Sequence, residues 1–220
     1  MRKYLYLPLV AVSALVVAPA AAEASAHAPV THVLTITKVG GTAVRSGAQL
    51  KASLVTGTTA VFQFRGEKLT CKQAASVATV KSNPSAPGTA RESLTSQTFK
   101  KCHVNVLHVR VLGVRAQNLP YVVKVSDATG DPVTVSGHST TAPLRFRVRI
   151  QVGTLKFACS YSAAKITGAA SNTGNQVAFV LQKFTKVAGR RLCPRAARFT
   201  ATFGPVTDAS VTGNPLVFVN

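Results

Sequence analysis

An arginine-rich segment, LRFRVRIQV at residues 144–152, alternates apolar with polar residues and holds Arg145, Arg147 and Arg149. In a β-strand, side chains at alternate positions lie on one face and repeat about every 6.7 Å. The three guanidinium groups are therefore predicted to form a row that points away from the core. Because a guanidinium binds phosphate or carboxylate through two parallel hydrogen bonds, the row is a candidate anion-binding site. The alternative is a solvated strand face that discourages edge pairing.

A second basic segment, GRRLCPRAAR at residues 189–198, extends the same chemistry. Its candidate anion-binding residues are Arg190, Arg191, Arg195 and Arg198. The whole chain has 26 Lys and Arg against 6 Asp and Glu, a net charge of +20. Charge of this size bears on partners and solubility rather than on fold. The expected partners are an anionic cell-wall polymer, an acidic polysaccharide or extracellular DNA, and the alternative is a solubilising surface without a specific ligand.

The N-terminal segment has the order of a secretory signal peptide. Arg2 and Lys3 precede an apolar run and then an alanine-rich stretch, and the small residues Ala24 and Ala26 suit cleavage after residue 26. The apolar run is shorter than the roughly 20 residues of a spanning helix, and no later segment is long and apolar enough. We therefore expect a signal peptide at residues 1–26, no membrane span after cleavage, and a secreted, extracellular or cell-wall-associated protein.

Four cysteines in an exported chain favour disulfides over free thiols. Four cysteines allow three pairings, and a weak internal repeat favours one of them. KLTC at Cys71 resembles KFAC at Cys159, and FKKC at Cys102 parallels GRRLC at Cys193. If the two halves are related, the bridges are Cys71–Cys102 and Cys159–Cys193. No Cys-x-x-Cys occurs, so we expect no metal site.

Hydrophobic periodicity predicts strands throughout the chain after the signal peptide. A period of two occurs at 144–152, in YVVKVS (121–126), in QVAFVLQ (176–182) and in RFTATF (198–203). The apolar set changes parity across Gly66, which indicates a bulge or tight turn. The expected fold is an all-β, antiparallel β-sandwich, with a first half at 27–135 and a second at 136–220 that are related in tandem or pack as one domain.

The chain resembles small exported proteins of actinomycetes. The resemblance rests on the order of the four cysteines and on the segments FACSY, AFVLQKF, ARFTATFGPVTD and the terminal PLVFVN. Those proteins have a signal peptide, four cysteines and β-rich halves, and the resemblance covers most of the chain after the signal peptide. It implies export, disulfides and a β fold. It implies no activity.

Searches for catalytic motifs fail, so the chain is expected to be a non-enzyme without cofactors. It has no Gly-x-Ser-x-Gly elbow, His-Glu-x-x-His or phosphate-binding glycine loop. It also has no tryptophan for stacking on sugars, and its phenylalanines fall on predicted core faces. The favoured function is a non-enzymatic envelope-associated or extracellular binding or structural protein. The alternatives are a secreted defensive or signalling factor or a carrier of a small apolar ligand, with a hydrolase less favoured.

Overall fold

The computed structural model describes residues 31–220, so the predicted signal peptide lies outside the described residues. Regular structure in this range consists of β-strands, and none of its segments is a helix long and apolar enough to cross a membrane. The strands are β1 (Leu34–Ile36), β2 (Thr42–Ala43), β3 (Gln49–Ser53), β4 (Ala60–Gln63), β5 (Lys68–Ser82), β6 (Thr89–Val104), β7 (Val109–Gln117), β8 (Tyr121–Ser126), β9 (Pro132–Ser136), β10 (Leu144–Val152), β11 (Leu155–Ala163), β12 (Lys165–Ser171), β13 (Gln176–Ala188), β14 (Ala196–Phe203), β15 (Thr207–Asp208) and β16 (Val217–Val219).

The strands form two antiparallel sheets, which confirms the predicted all-β, antiparallel class. The small sheet has the order β16-β1-β2. The large, 13-stranded sheet has the order β11-β10-β7-β6-β8-β9-β12-β13-β14-β4-β5-β3-β15, and two further pairings, β11 with β13 and β6 with β5, close it on itself.

These closing pairings produce an eight-stranded barrel. Its ring runs β4-β5-β6-β7-β10-β11-β13-β14 and back to β4. The long strand β6 also pairs with β8 through Thr89–Leu94, so a branch of β8, β9 and β12 connects β6 to β13 a second time. Four consecutive strands of the ring, β4 to β7, come from the first half of the chain, and the other four, β10, β11, β13 and β14, come from the second half. The relation between two tandem halves, and their arrangement as a sandwich, remain predictions.

Aromatic side chains fill the centre of the barrel. Phe62 is 1% exposed, and its ring centroid lies 4.5 Å from that of Phe146, 5.0 Å from Phe199 and 5.3 Å from Phe99. Tilted and edge-on pairs at these distances are the favourable geometries for aromatic rings. The predicted core faces of β8 and β14 are buried, and that of β10 is buried from Leu144 to Val148, whereas Ile150 is half-buried and Val152, at the end of the strand, is 37% exposed. The core therefore consists of residues from many strands around one aromatic cluster.

One strand departs from the predicted alternation. Val177, Phe179 and Leu181 were expected to share the buried face of β13, yet Leu181 is 47% exposed. The register between β13 and β14 shifts between Phe179 and Gln182, and Leu181 has a φ of 51°. This bulge adds one residue to β13 relative to β14 and reverses the alternation of buried and exposed side chains. Phe184 therefore faces the core, and the prediction for Leu181 is wrong.

The irregularity predicted at Gly66 is a turn. Gly66 lies between β4 and β5 with a φ of 104°, a conformation that glycine adopts without steric cost. The backbone N–H of Phe64 donates to the carbonyl oxygen of Glu67 at 2.8 Å and closes the turn. The parity change in the sequence therefore marks the end of one strand and the start of the next.

Both predicted disulfides are present, and the two differ in context. Cys71 and Cys102 occupy directly paired positions of β5 and β6, with Cα atoms 3.9 Å apart. Cys159 lies in β11 and bonds to Cys193, in the loop between β13 and β14, with Cα atoms 5.6 Å apart. The first bridge joins two strands that are already paired, whereas the second ties a loop to the barrel wall.

Candidate functional site

Three arginines predicted as anion-binding residues, Arg191, Arg195 and Arg198, lie around one surface groove of about 870 Å³. The structure adds Arg65, from the turn between β4 and β5, which the sequence did not single out. All four side chains are exposed. The rest of the described lining is Gln63, Phe64, Gly66, Leu192, Cys193, Pro194, Ala196 and Ala197, none of which is acidic. We call this concavity the basic groove.

The loop that carries Arg191 and Arg195 is fixed in place by covalent and polar contacts. Cys193 is bonded to Cys159 and is 2% exposed. The Lys186 Nζ donates to the carbonyl oxygens of Arg190 at 3.4 Å and Cys193 at 3.3 Å. One wall of the groove is therefore anchored to the barrel and does not need a ligand to order it.

The basic surface continues from the groove across four neighbouring strands. Arg198 pairs directly with Lys183 on one side and with Gln63 on the other, and Gln63 pairs with Lys68. Directly paired residues place their side chains on the same face of the sheet, so the three cations lie in line across β13, β14 and β5. Glu67 is exposed in the adjacent turn and is not among the lining residues.

The structure divides the predicted arginine row. Arg147 and Arg149 are exposed on β10, and Arg147 lies opposite the exposed Arg115 of β7. Arg145 is only partly exposed, and its Nε is a buried nitrogen without a hydrogen-bond partner among residues 31–220. Arg190 is exposed in the loop before β14 but does not line the groove. The sequence thus identified the basic segments, while the fold decides which side chains meet.

Arg145 also lines a second concavity, an apolar cavity of about 180 Å³ in the interior of the protein. We call it the interior cavity. Its walls are aliphatic and aromatic side chains, among them Phe62 and Phe146. Its charged or titratable lining residues are Lys51, Glu92, Tyr121 and Arg145.

Glu92 is the functional candidate that sequence reasoning missed. It is 9% exposed and lies on the inner face of β6, directly opposite Val80 of β5 and Val123 of β8. Burial raises the pKa of its carboxyl group to about 7, because the charged form loses hydration in apolar surroundings. The available signal was parity: Ala90, Glu92 and Leu94 alternate in a strand, which places the carboxyl on the apolar side.

Tyr121 is a further lining residue of the interior cavity, and it is hydrogen-bonded to the backbone of Arg145. It is buried on the same face of β8 as Val123, two residues from the position opposite Glu92. Its hydroxyl donates to the carbonyl oxygen of Arg145 at 2.8 Å and accepts the N–H of Arg145 at 3.2 Å, and it also contacts the carbonyl oxygen of Gln117. These hydrogen bonds hold the backbone of Arg145, in β10, against Tyr121 of β8.

Residues 31–220 contain no group of three or more His, Cys, Asp or Glu side chains that could hold a metal ion. The chain matches no family model, no curated protein and no solved structure.

Proposed function

We propose that the protein is a secreted, non-enzymatic binding protein that contacts anionic polymers at the cell envelope or in the extracellular space through the basic groove. The observation that carries this proposal is the convergence of Arg65, Arg191, Arg195 and Arg198 on one concavity without an acidic lining residue. Two disulfides support an oxidising, extracellular setting, because such bonds persist outside the reducing cytosol.

The geometry of the groove suits a chain of repeated negative charges. A phosphate or carboxylate can accept two parallel hydrogen bonds from each guanidinium, and arginine keeps its charge at every physiological pH. The line of Lys183, Arg198 and Lys68 leads out of the groove across the sheet, so a polymer seated between the walls meets further cations along its length. A single small anion would use only part of this surface.

A salt titration separates groove binding from general basicity. Bound cations release counterions from a polyanion, so log K falls linearly with log salt, with a slope near −0.9 per contact on duplex DNA. Replacing Arg191, Arg195 and Arg198 with Gln in the disulfide-intact secreted protein is expected to reduce the magnitude of that slope by about two to three units. Affinity for heparin is expected to fall in parallel.

The matched control removes three exposed lysines spread over the rest of the surface: Lys38, Lys124 and Lys165. Both triple variants lose the same net charge. The groove proposal predicts a slope change of less than about one unit for the lysine variant. Equal losses in the two variants would show that basicity alone drives binding and would refute the groove.

A further inference from the structure

The interior cavity is large enough for a small organic molecule. An engineered cavity of about 150 Å³ lined by aliphatic and aromatic side chains holds benzene. The interior cavity measures about 180 Å³ and has walls of the same chemistry, so it accommodates a benzene ring with a small substituent. This space is separate from the basic groove, since the two have no lining residue in common.

Two polar groups of the cavity, Arg145 and Glu92, lie among its apolar walls. The Nε–H of Arg145 is a buried donor without an acceptor among the described residues. The carboxyl of Glu92 is more than nine-tenths buried, and desolvation is the one cause of its raised pKa, so no cation lies close enough to lower that pKa. A buried donor that is left unsatisfied costs free energy, and a ligand that supplies the acceptor recovers it.

The chemistry of these groups selects the kind of ligand. Arg145 can only donate, and Glu92 donates as well when it carries its proton. Arg145 therefore calls for an acceptor, and a carboxylate offers two acceptor oxygens together with the negative charge that balances the guanidinium. An amine would bring a second positive charge to the guanidinium and would approach a chain of net charge +20 against its field.

We propose that the interior cavity binds a small apolar carboxylic acid of the size of benzoate, with the carboxylate on Arg145 and the apolar body among the aromatic side chains. The backbone bonds between Tyr121 and Arg145 hold the arginine main chain in position, so the guanidinium is presented on a fixed base.

Protonation of Glu92 makes the site dependent on pH. Below about pH 7 Glu92 is neutral while an ordinary carboxylic acid is ionised, so one negative charge faces Arg145. Above pH 7 a second negative charge appears in the cavity and repels the ligand. The other charged or titratable lining residues are Lys51 and Tyr121, and Tyr121 keeps its proton across this range because burial raises the pKa of its hydroxyl. Affinity should therefore fall as pH rises above 7.

The test compares ligands of one shape and different polar groups. Benzoate, benzyl alcohol, benzylamine and toluene are titrated at pH 6 into the disulfide-intact secreted protein, by calorimetry and by ligand-observed NMR. Benzoate is expected to bind at least tenfold more tightly than each of the others. Equal binding of toluene and benzoate would refute a role for Arg145 in binding. Tighter binding of benzylamine than of benzoate would refute the preference for a carboxylic acid. If none of the four probes binds, the cavity is not a ligand site.

Matched variants locate the bound acid. Arg145→Met keeps the apolar stem and the backbone bonds to Tyr121 and is expected to weaken benzoate binding by about 10- to 100-fold, as loss of a charge-assisted bond requires. Arg147→Met, on the exposed part of the same strand, is expected to change it less than twofold. Equal losses would place benzoate on the surface and refute the proposal.

Glu92→Gln provides a readout that does not depend on the arginine variant. Glutamine retains a donor without a titrating charge, so benzoate affinity at pH 6 should be kept and its decline between pH 6 and pH 8 should disappear. An unchanged decline would contradict the role of Glu92. The triple groove variant should bind benzoate as the native protein does, so a failure of the groove and a failure of the cavity are read separately.

Discussion

The basic groove and the interior cavity hold charge under opposite conditions. In the groove, four exposed arginines share the same role, and water solvates each of them. In the cavity, the Nε–H of Arg145 has no acceptor among residues 31–220, and the carboxyl of Glu92 is buried in apolar surroundings. A charge costs little where water reaches it and much where it does not. Substitutions in the groove should therefore add in small steps, whereas each position around the cavity should have a large individual effect.

The largest effect is expected from the aromatic side chain that both lines the cavity and centres the core. Phe62→Ala removes a ring that is 1% exposed and contacts three other phenylalanines. Truncation of a buried Phe costs about 3 to 5 kcal/mol of unfolding free energy, because the neighbours fill the space incompletely. Urea denaturation of the variant and of the native protein measures this loss of unfolding free energy. Leu107→Ala, at a position 86% exposed, is the control and should stay within about 0.5 kcal/mol.

The two disulfides sharpen the comparison because only one of them supports the groove. Replacing Cys159 and Cys193 with Ala removes a link across 34 residues and should lower stability by about 3 to 4 kcal/mol. The same change at Cys71 and Cys102, across 31 residues, should cost about as much. Heparin affinity at 10 °C, well within the folded range, should fall only for the first pair, because only that bridge anchors the loop of Arg191 and Arg195. Unchanged heparin affinity without the Cys159–Cys193 bridge would show that the loop needs no anchor, and equal losses in the two variants would show that the effect is not specific to the loop.

Glu92→Gln should stabilise the protein at high pH. The carboxyl has a pKa of about 7 in the folded protein and an ordinary value of 4.5. Between these values the unfolded chain releases the proton first, so stability falls as pH rises through this window and stays lower above it. The difference corresponds to about 3 kcal/mol at pH 8 and vanishes below pH 4.5.

Denaturation at pH 4 and pH 8 checks this sign. Glu92→Gln should gain stability at pH 8 alone, and the exposed Glu67→Gln should change little at either pH. A gain for Glu92→Gln of the same size at both pH values would contradict the assigned titration and would point to side-chain packing instead.

How much of the molecule the sequence predicts depends on whether a feature is local. Alternation placed β10 at residues 144–152, and the KLTC and KFAC segments led to both disulfide pairings. Leu181 was misplaced because a bulge is set by the neighbouring strand rather than by the alternation itself. The closure of the barrel depends on pairings between strands far apart in sequence, such as β4 with β14, which periodicity does not encode.

In the basic groove and the interior cavity, too, the sequence predicted what is local and missed what depends on strand pairing. Arg191, Arg195 and Arg198 were identified because they cluster in sequence, whereas Arg65 joins them only through the pairing of β4 with β14. Arg145 was grouped with Arg147 and Arg149 by spacing alone. The fork of the sheet, where β7 and β8 leave β6 at different points, brings Tyr121 against the backbone of Arg145 and separates that residue from the row.

The smallest effect should come from the exposed remainder of the arginine row. Arg147 and Arg149 lie on the open face of β10 beside Arg115, outside the groove lining. A polyanion seated in the groove releases counterions only where it touches the protein, so replacing Arg147 and Arg149 with Gln should change the salt slope for duplex DNA by less than about one unit. Thermal stability should be nearly unchanged, because exposed charges contribute little to folding.

The matched double variant at Arg195 and Arg198 removes the same charge from the groove and should reduce the slope by about two units. Both variants are measured against one DNA duplex over the same salt range. A larger loss from Arg147 and Arg149 would place the polymer on the β10 face, and the basic groove would then be a solubilising surface.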